Sequence, residues 1–190
     1  MNSEKSKVLE SGMVTIKGIV RSYPTMFGII AIILGLVFKL PILSYLSSVI
    51  LLSSIFNNKI LKNLLFKILD ITNLQFIAVR PDGAKNCSPF INELIPNKPS
   101  DTYGMPSGHS VEAMVITIFL INYVFDKHEK SWKRDLLIVL LLLVGLSICV
   151  SRVTLGCHTI LQVIIGSLIG ALTGYYSYKL WTNTIEPKLT

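Results

Sequence analysis

Residues 136–150 read LLIVLLLLVGLSICV, a run without one charged side chain. It sits between Arg134-Asp135 and Arg152. A helix that crosses a bilayer needs about 20 mostly apolar residues, and this run is the core of one. Working outward, residues 110–125 (SVEAMVITIFLINYVF) form a second such stretch on the N-terminal side. Residues 159–181 form a third, ending in Tyr175, Tyr176, Tyr178 and Trp181, aromatics suited to a membrane–water interface. Further upstream, residues 25–39 and 42–56 are two apolar runs separated by Lys39, Leu40 and Pro41. Proline lacks a donor and clashes with the preceding turn, so the chain should break there. One continuous helix would be roughly 48 Å long, too long for the hydrocarbon core, and two helices in a hairpin fit better. Residues 60–79 (ILKNLLFKILDITNLQFIAV) are apolar but carry Lys62, Lys67 and Asp70, and read as a weaker span. The expected fold is all-α, a polytopic membrane helix bundle of about six transmembrane helices.

Composition agrees. Of the 190 residues, 51% are apolar and 15% charged, whereas a soluble domain carries about a quarter charged residues. The net charge of +7 comes from cations placed between apolar runs, with no basic stripe interleaved with aromatics. That pattern argues against nucleic acid as a partner. The expected organisation is a cytoplasmic segment over residues 1–22, a membrane domain over 23–182 and a tail over 183–190. The first segment has no short apolar core before a small-residue cleavage site, so the first apolar run should be an uncleaved anchor. The positive-inside rule puts the N-terminal cations, Lys59 and Lys62, and the linker with Lys127, Lys130, Lys133 and Arg134 in the cytoplasm. The loops over residues 80–109 and 151–158 then lie outside or in a lumen. Cys87, Cys149 and Cys157 show no CxxC spacing, and no disulfide is expected. A Cys87–Cys157 bridge would need both to face an oxidising lumen.

Three short segments fall on that one face. Arg80-Pro81 closes the weak span, YGMPSGHS (residues 103–110) opens the next, and SRVTLGCH (residues 151–158) joins the last two. Each suits an anion. Ser107-Gly108-His109 begins a helix, where free amides and a partial positive charge bind phosphate. Gly108 permits close backbone approach. Arg80 and Arg152 carry planar forks of donors that match phosphate oxygens, and Ser151 adjoins the second. His109 and His158 can donate, accept or attack. Gln162 lies one helical turn beyond His158 and can accept from its ring. Glu112, an ionisable group at the start of a span, is a further candidate, to orient His109 or pair with an arginine.

RP, PSGH and SR-x5-H in this order resemble the phosphatidic acid phosphatase type 2 superfamily, over about residues 57–180. Its fuller signature is K-x6-RP, PSGH and SR-x5-H-x3-D. YGMPSGHS and the HTILQ segment are most similar to the dolichyldiphosphatase branch. Two positions depart from the signature: the motif lysine falls on Asn73 and the motif aspartate on Gln162. The second departure is shared with that branch. The first removes a cation from the phosphate cradle, and Lys67, Lys85 or Lys98 could replace it, Lys85 being the nearest to Arg80 in sequence. The resemblance implies hydrolysis of a lipid phosphate or diphosphate in the endoplasmic reticulum membrane, dolichyl diphosphate first and phosphatidate second. His158 would attack phosphorus to give a phosphohistidine and His109 would protonate the leaving oxygen. Arg80, Arg152, Ser107 and Gly108 would hold the equatorial oxygens, with Gln162 supporting His158. No acidic cluster lies on that face, so no metal or other cofactor is expected. The expected partners are the lipid substrate and the bilayer. A catalytically weak relative that only binds lipid is the contrasting reading, motivated by Asn73.

Overall fold

A computed structural model of the chain describes Gly18 and residues 22–85, 87 and 102–189. Helix α1 spans Ser22–Val37. Helix α2, Pro41–Ile55, starts with its proline in the first turn, where the missing N–H costs nothing. It runs through a π turn, Phe56–Leu61, directly into α3, Lys62–Ile71. A single short turn follows, α4, Gln75–Ala78. Helices α5 (Gly108–Lys127), α6 (Trp132–Thr154) and α7 (Ile160–Leu180) complete the bundle. The last continues through a π turn, Trp181–Ile185, and a 3-10 turn, Glu186–Lys188. Among the described residues four stretches are long and apolar enough to cross a membrane: Pro41–Ile71, Gly108–Lys127, Trp132–Thr154 and Ile160–Lys188. Helix α1 is a shorter apolar helix beside them. The all-α membrane bundle read from the sequence is the observed class.

Helix α5 is the axis of the molecule. Val111, Val115, Ile116 and Phe119 pack with Leu46 and Ile50 of α2, and with Tyr178 and Trp181 at the far end of α7. Outward, Leu143, Val144, Leu146 and Val150 of α6 and Ile164, Leu168 and Leu172 of α7 are exposed. A soluble protein does not leave apolar patches that large in water. Against lipid there is no hydrophobic force between helices, and close packing must supply the association. Small residues permit it here. Gly166, Gly170 and Gly174 recur every four residues on one face of α7, and a Cβ at each would run into the backbone of Ser107, Val111 and Val115. Gly145 of α6 makes room instead for the Thr117 side chain of α5.

The separate span expected over residues 60–79 does not form. Nothing between Ile55 and Lys62 breaks a helix, since Asn57, Asn58 and Lys59 include neither proline nor glycine, so α2 simply continues. The stop comes at Asn73, which adopts a left-handed φ of 56°. This changes the topology. Helices α1 and α2 are antiparallel, with Gly35 against Ser44 and Gly28 against Ile50. Ser22 therefore lies at the same end as the π turn, and Asn57 of that turn packs on Gly108, the start of α5. Lys59 and Lys62 lie at the same end as the three motif segments, not opposite them as the count of six spans required. The other end gathers Lys39, the α5–α6 linker and the close of α7, joined by a Tyr45 hydroxyl bond to the Ser177 carbonyl and a 2.8 Å Lys127–Glu186 ion pair. The expected segment over residues 1–22 falls almost entirely outside the described residues.

The terminal aromatics also divide. Tyr175 and Tyr176 are exposed, but Tyr178 and Trp181 are core residues, and the Tyr178 hydroxyl donates to Asp126 at 2.8 Å.

Candidate active site

The capping box of α7 builds the centre of the site. Thr159 is the N-cap: its hydroxyl accepts from the Gln162 N–H, and Gln162 Oε1 accepts from the Thr159 N–H. The same Oε1 lies 3.2 Å from His158 Nδ1. Gln162 Nε2 donates to the carbonyls of Ile77 in α4 (2.8 Å) and of Val79 just before Arg80 (2.6 Å). Two carbonyl partners leave only one orientation for the amide, with its oxygen toward His158. His158 Nδ1 must then carry the hydrogen, and its Nε2 presents a lone pair. Gly104 allows this, because a Cβ there would strike the Gln162 amide.

Arg80 faces that lone pair. Its Nη1 is 3.0 Å from His158 Nε2 and also donates to the Cys157 carbonyl. Its Nε and Nη2 donate to the backbone oxygen and hydroxyl of Thr102. The fork is thus fixed in one plane beside the imidazole. Burial lowers the Arg80 pKa to about 10, still well above neutrality. Burial first, then the neighbouring Arg80, Arg152, Lys62 and His109, pushes His158 down to about 2. The imidazole is neutral at any physiological pH. Arg152 is fully buried near the end of α6 and donates to the Cys87 carbonyl at 2.8 Å.

The start of α5 forms the opposite wall. Ser107 is the N-cap, wholly buried, and accepts from the Ser110 hydroxyl at 2.9 Å. Gly108 follows as the first helical residue. His109 is half-buried and close enough to His158 to contribute to its electrostatics. His158, His109, Arg80, Arg152, Ser107, Gly108 and Gln162 are therefore gathered at one end of the bundle. Ser151 is not drawn in by its hydroxyl, which bonds the Ile148 carbonyl within α6 at 2.6 Å. Glu112 is buried and hydrogen-bonds Ser54 of α2, in the field of Lys62 and Arg152.

Two findings go against expectation. Cys87 and Cys157 form a disulfide that ties the segment after Arg80 to the α6–α7 loop. Their sequence separation of 70 gives no hint of proximity; the fold brings them together because Arg80 and Arg152 each bond the carbonyl of one of them. Second, a cation not assigned to the site, Lys62, is buried on α3 and coupled electrostatically to Arg80, Glu112 and Arg152. Lys67 and Lys85 are exposed, and Lys98 lies outside the described residues. A charge inside an apolar run was the signal for Lys62, since such groups are functional by default. Reading residues 60–79 as a separate span placed it at the wrong end.

Chemically, the arrangement offers a neutral nucleophilic nitrogen, a second imidazole, two arginines and a helix N-terminus, a set suited to phosphoryl transfer. The family model of the PAP2 superfamily matches residues 41–186. Among curated proteins, the chain is 35% identical over 80 residues to Sphingosine-1-phosphate phosphatase 2 of Homo sapiens, covering 42% of this chain and 20% of that protein. It is 31% identical over 80 residues to the Mus musculus protein of the same name, covering 42% and 22%. The chain thus matches about a fifth of the length of these relatives. No solved structure matches.

Proposed function

The chain belongs to the PAP2 superfamily, and from that premise we propose that it is an integral membrane lipid phosphatase working through a phosphohistidine. The observation that carries the reading is the clamp on His158: Gln162 holds Nδ1–H, and Nε2 points at the Arg80 fork. The Nε2 lone pair attacks phosphorus and the P–O bond to the lipid breaks. His109 gives its proton to the departing oxygen. The charge on the equatorial oxygens is held by Arg80, Arg152, Ser107 and the Gly108 amide. Water then attacks the phosphohistidine, passing a proton to His109. The P–N bond breaks, and inorganic phosphate leaves with His158 neutral again. Ser151, Glu112 and Gln162 act at one remove. No metal enters this scheme, and activity should survive a chelator.

The substrate is a long-chain lipid phosphate whose head enters at the motif end of the bundle while its tail lies against the apolar outer faces. Relatives named for sphingosine 1-phosphate support a monoester. A second reading, dolichyl or another polyprenyl diphosphate, is supported by YGMPSGHS and by Gln162 standing where the wider signature has aspartate. The site faces a lumen or the exterior, with the endoplasmic reticulum the compartment first implied. The test is phosphate release from sphingosine 1-phosphate, dolichyl diphosphate and phosphatidate in detergent with chelator, for wild type and His158→Ala. Release from one lipid, abolished in the variant, is the expected result. A folded wild type that releases phosphate from none of them overturns the reading in favour of a lipid-binding relative.

A further inference from the structure

We propose that the π turn Phe56–Leu61 is a further wall of the phosphate pocket, with Lys62 and Asn57 as direct ligands of the substrate's phosphate. The inference rests on the phosphatase reading above and adds ligands that none of the three motif segments contains.

The geometry of the turn is the first argument. Residues i and i+5 stand about 140° apart around a regular α-helix and face different neighbours. A π turn closes i→i+5, and here the Lys62 N–H bonds the Asn57 carbonyl. The widened turn stacks the two side chains on one side. Asn57 is 1% exposed and Lys62 3%, whereas Asn58, Lys59 and Ile60 between them are exposed. The distortion turns inward two polar residues that an undistorted helix would separate. Such bulges cost regular hydrogen bonding and are concentrated at functional sites.

The second argument is what they face. Lys62 is coupled to Arg80, Arg152 and Glu112, and contributes to the field at His158. Asn57 Nδ2 lies 3.2 Å from the position a Cβ on Gly108 would take, so the amide flanks the first turn of α5. Neither amide atom of Asn57 has a partner among the described residues. Leaving a buried amide unsatisfied is costly. A phosphate oxygen at the α5 N-terminus would accept from Nδ2. Lys62 supplies the cation that the family signature puts at position 73, where Asn73 is exposed at a helix end.

The test uses purified full chain in detergent, with Lys62→Met, Lys62→Arg, Asn57→Ala and Glu112→Gln. Two quantities are read: KM and kcat on the lipid phosphate that the wild type hydrolyses best, and stabilisation against thermal unfolding by inorganic phosphate. Loss of a charge-assisted contact predicts that Lys62→Met weakens phosphate affinity and kcat/KM by about 10–100-fold, with Lys62→Arg in between. Loss of a neutral hydrogen bond predicts a smaller rise in KM for Asn57→Ala, roughly 3–10-fold. Wild-type values for both quantities in Lys62→Met and Asn57→Ala would overturn the proposal. So would a Lys62→Met protein that loses only stability and regains it with Glu112→Gln, since Lys62 would then be one half of a structural ion pair. A wild type that neither hydrolyses lipid phosphate nor gains stability from inorganic phosphate overturns the phosphatase reading itself, and this inference with it.

Discussion

At Gln162 a single amide makes four contacts, and their pattern decides what can replace it. The oxygen serves His158 and the Thr159 N–H, while the nitrogen serves two carbonyls. Glutamate restores the charge of the wider signature but sets an oxygen against the Ile77 and Val79 carbonyls. We expect Gln162→Glu to lower kcat by about 10–100-fold with KM nearly unchanged, as for other groups that orient a reacting imidazole. A variant with wild-type kcat would remove Gln162 from the mechanism. His158 makes a prediction about pH. Its folded pKa, about 2 through burial first and neighbouring cations second, is below the usual 6.5. The unfolded chain therefore binds the extra proton between those values. The stability from the neutral imidazole is full above pH 6.5 and declines as pH falls below it. At pH 5.5 the loss is on the order of 1 kcal/mol. Melting curves of wild type and His158→Asn should differ in pH slope by this amount, and parallel slopes would refute the buried neutral form. The sequence made these residues legible because each motif is short and local. Asn57 was not legible, because no residue pattern announces a π turn, and Lys62, though visible as a charge in an apolar run, was placed at the wrong end for the same reason.

Helices α5 and α7 meet along glycines rather than along large apolar side chains, and this decides how the elements hold the site. Ser107 and its N–H bond to the Gln162 carbonyl sit at the top of that seam, so the α5 N-terminus and the His158 clamp keep their spacing only while the backbones touch. A Cβ at Gly170 would fall within bonding range of the Val111 backbone, which cannot give way as a flexible side chain can. Gly28 is the natural control, since its Cβ would lie at an ordinary 3.8 Å from Ile50. Gly170→Leu should destabilise by about 1–3 kcal/mol, the usual range for overpacking, and Gly28→Ala by far less. Thermal unfolding in detergent measures both, and equal effects would mean the seam is not the tight contact. The spacing of Gly166, Gly170 and Gly174 was open to reading in the sequence, but hydropathy alone passes over glycines. The same blindness explains the weaker span expected over residues 60–79: hydropathy marks how apolar they are, not whether the helix before them has ended.

The parity of the whole bundle ties the two ends of the membrane together. Two crossings, α1 and α2, separate Ser22 from the π turn, so Ser22 shares the face of the active site. The cations Lys39, Lys127, Lys130, Lys133, Arg134, Lys179 and Lys188 gather at the opposite end, the arrangement the positive-inside rule expects of a cytoplasmic face. The Cys87–Cys157 bridge is compatible with the proposed orientation, in which the motif end faces a lumen or the exterior, since disulfides persist in oxidising compartments. Because Arg80 and Arg152 bond the carbonyls of the two cysteines, reduction should loosen both arginines, the proposed anion ligands. We expect Cys87→Ser to lower kcat/KM by about 10-fold through misplacement alone; unchanged kinetics would leave the bridge a purely structural tie. Orientation is tested by an impermeant maleimide on sealed vesicles with Ser22→Cys, Lys85→Cys and Lys130→Cys, the native Cys149 being buried. Ser22→Cys and Lys85→Cys should label from the lumenal or exterior side, and Lys130→Cys only after permeabilisation. If Ser22→Cys labels with Lys130→Cys instead, an extra crossing lies between Ser22 and the site. Residues 60–79 would then have to leave the long helix that brings Lys62 to the end of the bundle where the three motif segments lie.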